Sequence, residues 1–572
     1  MDTTYFDERT PNVKNFSLPI FVNQAGYKPE SIKRAVIKEK VSRFFLVDND
    51  TCVIVYEGQC THFGLDNNSQ DDVYIADFSD FMTCGTYHLA TDTSVKSLPF
   101  QIADTVFDNV LHDTMKAFYF LRCGMDLEEK HAGKFGHSAC HTAKAVLWEE
   151  YEALANGSGD CSCTLENFSS KGLTTYDITG GWHDAGDYGR YVTAACCALA
   201  HLFFAYKMYP DKLKDLHLNI PESGGLLPDF LAECKYELLW LLKMQREDGG
   251  VYHKATTLRH APFVMPEEDS ATMLIFPVSS MATADFAAVC AMASNIYREF
   301  DSVFADTLLA AAEKSAHWLE QNPDFLGFKN PEGCNTGEYG ERDDKDNRFW
   351  AYTELYVATG KEFYHDKMKA LLKMKFPLTG LGFAAVGGFG TLSYLLCDRE
   401  DASAELKDFF KECFLNEALR LKDLSDVCGY GAAMAEEDYI WGSNMNLLKH
   451  GMIFAIADYL TGTDTYLPYA TLQADYLLGV NATGYSYVTG TGAFCCNYPH
   501  LRPAHADGIE ECIPGMVSGG PNRHPADADA KILIAEGTPP MKCFADDVGC
   551  YSLNEITIYW NSPAVFVLAY LK

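Results

Sequence analysis

Apolar and polar positions follow one rhythm over the first hundred residues and another afterwards. Between residue 18 and about 103 come Ile20-Phe-Val-Asn, Arg34-Ala-Val-Ile, Arg43-Phe-Phe-Leu-Val, Val53-Ile-Val-Tyr, Val73-Tyr-Ile-Ala, Thr86-Tyr-His-Leu and Leu98-Pro-Phe-Gln-Ile. The runs recur every ~10 residues with Gly, Asn and Asp between them, the spacing of a small β-sandwich. No cluster of titratable side chains gathers there, so this unit reads as a stabilising accessory domain. From Ala103 the apolar spacing turns helical, first over Asp104-Thr-Val-Phe-Asp-Asn-Val-Leu-His. Further helical stretches begin near Tyr191, Leu226, Ala282, Ser302, Asp346, Gly360, Thr391, Ser403, Asn444, Asp464 and Asn561. With the first, that makes about twelve. Long Gly- and aromatic-rich loops separate them, and strand patterns are rare. Twelve helices joined this way predict a mainly α fold, an (α/α)6 barrel of two concentric rings. A superhelical array would show a fixed sequence period, and none is present. The domains are therefore read as 1–103, β-sandwich, and 104–572, barrel.

Composition narrows the function more than the fold. At 48% hydrophobic and 22% charged, the 572 residues are those of an ordinary globular protein. A formal net charge of −33 disfavours nucleic acid and anionic membrane as partners but leaves a neutral glycan open. There is no apolar run long enough to span a bilayer. The opening Met1-Asp-Thr-Thr-Tyr-Phe-Asp-Glu-Arg lacks the basic and apolar regions of a signal peptide, which leaves a cytoplasmic chain or one whose leader was removed. Twenty cysteines, several in apolar helical patterns, read as mostly buried, reduced thiols.

The densest chemistry lies in Gly180-Gly181-Trp182-His183-Asp184-Ala185-Gly186-Asp187-Tyr188-Gly189-Arg190-Tyr191. Two carboxylates three residues apart could form a metal site, an acid/base pair or a capped turn. The aromatics and packed glycines favour a ligand site, because a solvated turn needs neither. Near the C-terminus, Glu555 stands among Leu553, Ile556, Ile558, Tyr559 and Trp560. Such apolar company raises a carboxyl pKa and keeps the group protonated, as a general acid requires. A third segment, Ser486 to Phe494 and on to Pro499-His500-Leu-Arg502, follows a Gly-rich loop with a His-x-Arg pair able to donate to hydroxyls.

Together these segments resemble glycoside hydrolase family 9, the inverting cellulases built on an (α/α)6 barrel, over nearly the whole chain. The Gly181–Tyr188 loop is similar to that family's base loop. Phe544-x-Asp546, Tyr551, Glu555-x-Thr557 and Asn561-Ser562 match its acid signature. The Pro499-His500-x-Arg502 segment agrees except at Phe494, where the family usually carries Asn, Lys or Arg. Gly250-Val-Tyr-His253-Lys254, Ala282-Thr-Ala-Asp285-Phe, Trp441-Gly-Ser-Asn444 and Gly519-Gly-Pro-Asn522 agree as well. The resemblance implies that Asp187 is the general base, Asp184 holds the same water, and Glu555 is the acid. Inversion needs the two carboxyls about 6.5–9.5 Å apart, to admit sugar and water. His500, Arg502 and His253 would bind sugar, and Trp441, Tyr551 and Tyr188 would stack on pyranose faces. Val22-Asn23-Gln24-Ala-Gly26-Tyr27 is similar to the opening of the immunoglobulin-like domain that one branch carries as a scaffold.

The resemblance also implies metals. Cys123, Cys140, His141 and His183 are scattered in sequence, yet members with this front domain bind zinc through such positions. Four protein ligands make that site structural. A family calcium position falls at Asp343, Asp346 and Asn347, but its later aspartate is lost within Phe383-Ala-Ala-Val-Gly. Asp507 with the carbonyl of Ile509 resembles a second calcium position. The expected activity is endo-β-1,4-glucanase on cellulose, soluble β-glucan or cello-oligosaccharide, with no obligate protein partner. An exo-acting cellodextrinase, an exo-β-glucosaminidase of the same family and a silent glycan-binding protein are the alternatives.

Overall fold

The computed structural model describes residues 18–158 and 174–572. The opening segment, and with it the signal-peptide reading, lies outside the described residues.

Among the described residues, seven strands form the front domain: β1 Ile20–Phe21, β2 Arg34–Ile37, β3 Arg43–Asp48, β4 Ile54–Leu65, β5 Asp72–Asp77, β6 Gly85–Thr91 and β7 Phe100–Ile102. Their order is β1-β2-β5-β4-β3-β6-β7. Strand β4 belongs to both faces. Its first half pairs with β3, Ile54 opposite Val47, and its second half with β5, Cys60 opposite Ala76. Phe44, Leu46, Phe78, Phe100 and Tyr27 fill the space between, with Tyr27 edge-on to Phe78 and Phe100.

Among the described residues, twelve helices build the barrel: α1 Asp108–Phe120, α2 Val192–Met208, α3 Asp229–Lys243, α4 Ser280–Tyr297, α5 Ser302–Gln321, α6 Lys345–Thr359, α7 Glu362–Leu371, α8 Gly387–Leu395, α9 Ala404–Asp426, α10 Ser443–Thr461, α11 Leu467–Leu477 and α12 Ile558–Leu571. They alternate between rings. The even-numbered helices are buried along nearly their whole length and make the inner ring. An odd-numbered helix such as α5 or α9 buries one stripe and solvates the rest. A helix apolar all round has to be enclosed, whereas an amphipathic one lies at the surface. The ring closes where α12 packs on α2. Local signals set the ends. Ser279 and Asp301 accept the Ala282 and Phe304 amides to start α4 and α5, and Gly360, at φ 69°, ends α6.

The loops at one mouth of the barrel carry a five-stranded sheet that the sequence pattern did not predict. Its strands are β8 Ala145–Leu147, β9 Thr175–Tyr176, β10 Arg190–Tyr191, β11 Lys254–Thr256 and β12 Leu274–Ile275, ordered β10-β11-β12-β8-β9. Each is two or three residues long, too short for an alternating pattern to register. Every described cysteine is a free thiol.

The two domains meet through buried polar groups. Asn23 Nδ2 donates to Asp475 Oδ1 on α11 at 2.7 Å, and Gln24 Nε2 donates to the Gly484 and Phe494 carbonyls. The Phe494 amide returns a bond to Gln24 Oε1 at 2.8 Å, and its ring stacks on Tyr485. The residue that departs from the family pattern thus belongs to the domain seam. Asp475 Oδ2 is buried without a partner. Burial pushes this carboxyl up to about 7, against the pull of Asn23 and Arg34. A pKa higher in the folded than in the unfolded chain stabilises below the unfolded value near 4, and that stability is lost as pH rises toward 7. Asp475→Asn should therefore melt higher relative to wild type at pH 8 than at pH 5. The change should be on the order of 2 kcal/mol, measured by denaturant titration at both pH values.

Candidate active site

One cavity of about 810 Å³ opens at the mouth of the barrel. Asp184, Asp187, Tyr191, His260, Tyr339, Trp441, His500, Arg502, Tyr551 and Glu555 all line it. The acids come from residues far apart in sequence, and the backbone explains how they meet. Ala185 bridges Thr557, the Ile558 amide donates to the Asp184 carbonyl at 2.8 Å, and His500 bridges Glu555. Gly186 has no freedom to be anything larger, since a Cβ there would lie 1.9 Å from the His500 carbonyl oxygen.

The three carboxyls occupy different environments. Asp187 is 6% exposed. Burial opposes its charge, but the hydrogen bond and charge of His260, the Arg502 guanidinium and the Tyr191 hydroxyl overcome that and hold it well below the usual carboxylate range. Asp184 is 1% exposed, and burial followed by the charge of Asp187 raises it well above its ordinary value. Tyr339 Oη donates to Asp184 Oδ2 at 2.5 Å, while Oδ1 has no partner. Glu555 is raised well above its ordinary value by burial and then by the two aspartates. The cavity therefore sets one acid whose charged form is favoured beside two whose neutral form is favoured.

Arg502, expected to bind sugar, lines the cavity and gives two of its donor nitrogens to the backbone. Nη1 reaches the Gly186 carbonyl at 2.6 Å and Nε the Ala261 carbonyl at 2.8 Å, so it clamps the loop that carries Asp187. His500 pairs Nδ1 with the Val548 carbonyl at 2.6 Å, and burial lowers it to about 4. It is neutral near pH 7, with Nε2 left to accept. Trp441, 44% exposed, leans on Tyr551 with ring centroids 5.3 Å apart, so both aromatics are placed to meet a ligand.

Two expectations are corrected. His253 does not reach the cavity: it is fully buried, its Nδ1 pairs with Ser279 Oγ and its Nε2 with the Glu338 carbonyl, and it stacks on Phe328. Together with Lys254, whose Nζ donates to Asn330, Thr336 and Gly337, it ties down the strap at residues 328–341 that presents Tyr339. Tyr188 is buried as well. Its hydroxyl donates to the Val264 carbonyl and its ring packs on His141 and His183. Conversely, His260 and Tyr339 carry no signal in the sequence, each isolated in a loop without a motif.

Cys123, Cys140, His141 and His183 do converge, their ligand atoms lying within 4.8 Å of one another. The Cys123 amide donates to the Gly181 carbonyl and the His183 amide to the Leu121 carbonyl, which brings the two segments side by side. His141 sets Nε2 3.3 Å from Asp269 Oδ2, while its buried Nδ1 lacks any partner. An imidazole held by a carboxylate with its other nitrogen unsatisfied is what a metal ligand looks like without the metal. The residues fit a metal. Among the described residues, neither Asp507 nor the stretch Asp343 to Asn347 belongs to a comparable group of three His, Cys, Asp or Glu side chains. Asp507 Oδ1 accepts the Ile509 amide, Lys345 sits on Asp343, and the Val386 amide donates to Asp346.

Comparison with known proteins agrees with this geometry. Residues 107–568 match the model of glycosyl hydrolase family 9, and residues 16–96 that of the cellulase N-terminal ig-like domain. The chain therefore belongs to glycosyl hydrolase family 9. It is 42% identical to a cellodextrinase of Butyrivibrio fibrisolvens, covering 96% of this chain and 99% of that one. Among solved structures it resembles a thermostable endoglucanase of Alicyclobacillus acidocaldarius, with TM-score 0.87 and 34% identity over 97% of this chain and 99% of that one. It also resembles a Zn-binding triple mutant of the family 9 endoglucanase J30, with TM-score 0.86 and 33% identity over 95% of this chain and 99% of that one.

The metal reading predicts about one divalent ion per chain in freshly purified protein, as for a closed four-ligand site. Cys123→Ser should lose most of it and melt several degrees lower, measured by elemental analysis and calorimetry on the same samples.

Proposed function

We propose that this glycosidase hydrolyses β-1,4-glucosidic bonds of cellodextrins and soluble β-glucans with inversion at the anomeric carbon. The observation that carries the reading is the three-carboxyl cavity, in which Asp187 is held ionised while Glu555 is held protonated. Asp187 takes a proton from a water as that water's oxygen bonds to C1. Glu555 gives its proton to the departing O4 as the C1–O4 bond breaks. Asp184, kept neutral beside Asp187, holds the same water, and Tyr339 fixes Asp184. The division follows the rule that an acid/base pair needs environments that push two pKa values apart. Trp441 and Tyr551 offer ring faces to the apolar faces of the sugar, and His500 offers an acceptor to a hydroxyl.

We read the metal as zinc, because two thiolates and two imidazoles are the ligand set of closed zinc sites. It would be held by Cys123, Cys140, His141 and His183, and its chemistry there is structural: it fixes His183, which adjoins Asp184. The likeness to the Zn-binding J30 mutant supports this.

Endo and exo action each have support. Similarity to the Alicyclobacillus endoglucanase favours internal cleavage, and the higher identity to the Butyrivibrio cellodextrinase favours trimming of short chains. Products from cellotriose through cellohexaose separate the two. Internal cleavage gives mixed lengths from the first time points, and trimming gives one short product throughout.

Asp187→Asn and Glu555→Gln should each lower kcat on cellopentaose by ~10²–10⁴. NMR of the wild-type reaction should show the α-anomer appearing first. Retained β-configuration, or an Asp187→Asn enzyme as active as wild type, would refute the assignment.

A further inference from the structure

Two side chains able to donate close on a single oxygen of Asp187. Tyr191 Oη donates to Oδ2 at 3.1 Å, and His260 Nδ1 stands 3.1 Å from the same atom. Neither donor is directed at Oδ1. The Tyr191 hydroxyl is itself fixed, since it also accepts the Gly337 amide at 2.9 Å. His260 is fixed from both sides through its backbone. Its own amide donates to Asn335 Oδ1 at 3.1 Å, and the Asn335 amide donates back to the Leu258 carbonyl at 3.2 Å. One residue further on, the Ala261 carbonyl accepts Arg502 Nε. The strap and the Arg502 clamp thus grip the peptide on either side of His260. Its side chain remains 34% exposed at the cavity wall. A surface imidazole free to rotate would not need such anchoring.

We propose that His260 is a positioning residue of the base. Its Nδ1–H locks Asp187 Oδ2, so that the carboxylate cannot rotate and Oδ1 is the oxygen presented to the attacking water. The proposal rests on Asp187 being the base, as proposed above. It goes further in naming which carboxylate oxygen works and which residue selects it. Two donors on one oxygen leave a single rotamer of the carboxylate, whereas one donor leaves the plane free to tilt. A tilt of the base displaces the water it holds, and misplacement on the scale of 1 Å costs about a hundredfold in rate. The other groups facing Asp187 are Arg502, Lys254, His500, Asp184 and Glu555. None of them has a hydrogen bond to Asp187 Oδ2.

The test uses the full chain with His260→Ala and His260→Asn on cellopentaose, each across a pH series. Alanine removes the donor, and the asparagine amide can place an N–H where Nδ1 stood. His260→Ala should lower kcat about ten- to a hundredfold with little change in KM. It should also move the acid limb of the kcat/KM profile to higher pH, because the ionised form of Asp187 loses a donor. His260→Asn should restore most of both. Circular dichroism of each variant at every pH corrects the acid limb for unfolding, so a less stable variant is still informative. An acid limb unmoved in His260→Ala, or an asparagine variant no better than alanine, overturns the proposal. Asp187→Asn run in parallel separates the two claims: inactivity there alongside unmoved His260 variants leaves the base assignment standing and removes only the role of His260.

Discussion

Like charges cannot all persist in one cleft of low dielectric, and this chain brings three carboxyl groups to the same one. What resolves the conflict is unequal company. Asp187 has a guanidinium, an imidazole and a phenol around it, while Glu555 has burial and the charges of other acids. Asp184 has a single phenol on one oxygen and nothing on the other. The proton inventory of the site is therefore set by burial, by repulsion among the acids and by the non-acidic residues around Asp187. Most of the remaining structure around the cavity serves to keep those residues where they are.

Three supports converge on the loop from Gly180 to Tyr191. On one side the Cys and His quartet joins it to the end of α1, through the Cys123–Gly181 and His183–Leu121 backbone bonds. On another, Arg502 reaches the Gly186 carbonyl from the segment that carries His500. On the third, the strap at 328–341 delivers Tyr339 to Asp184 and the Gly337 amide to Tyr191. Lys254 underlies this strap. Burial lowers its ammonium to about 8, yet it stays tied to Asn330, Thr336 and Gly337. A loop built from glycines has little rigidity of its own. Here the rigidity is supplied from outside.

Much of this was legible in the sequence, because periodicity reports burial. The seven short runs before residue 103 each became a strand, and each of the twelve stretches with helical spacing became a barrel helix. Strand β4 shows the limit. Only Val53-Ile-Val-Tyr stood out, yet the strand extends to Leu65, since Gln59 to Leu65 alternates poorly and is held by pairing with β5. The acids were legible as well, because each sits in a dense motif, whereas the Cys and His quartet is scattered in sequence and stands out only through the family resemblance. His253 was misplaced for the opposite reason. It stands in a motif, but its role is to hold the Glu338 carbonyl from within the core. His260 and Tyr339 had no motif to betray them. Their meaning comes from strap and loop contacts across 75 or more residues, which one-dimensional spacing does not encode.

The seam between the domains has a consequence for how the two halves can be exchanged. Gln24 grips Phe494 at both its amide and its carbonyl, and Phe494 stands six residues before His500. The front module thus serves as a splint for a cleft-bearing segment of its neighbour. Any chimera that replaced it with a foreign sandwich would have to offer a primary amide in the same place, or leave that segment's backbone to find other partners.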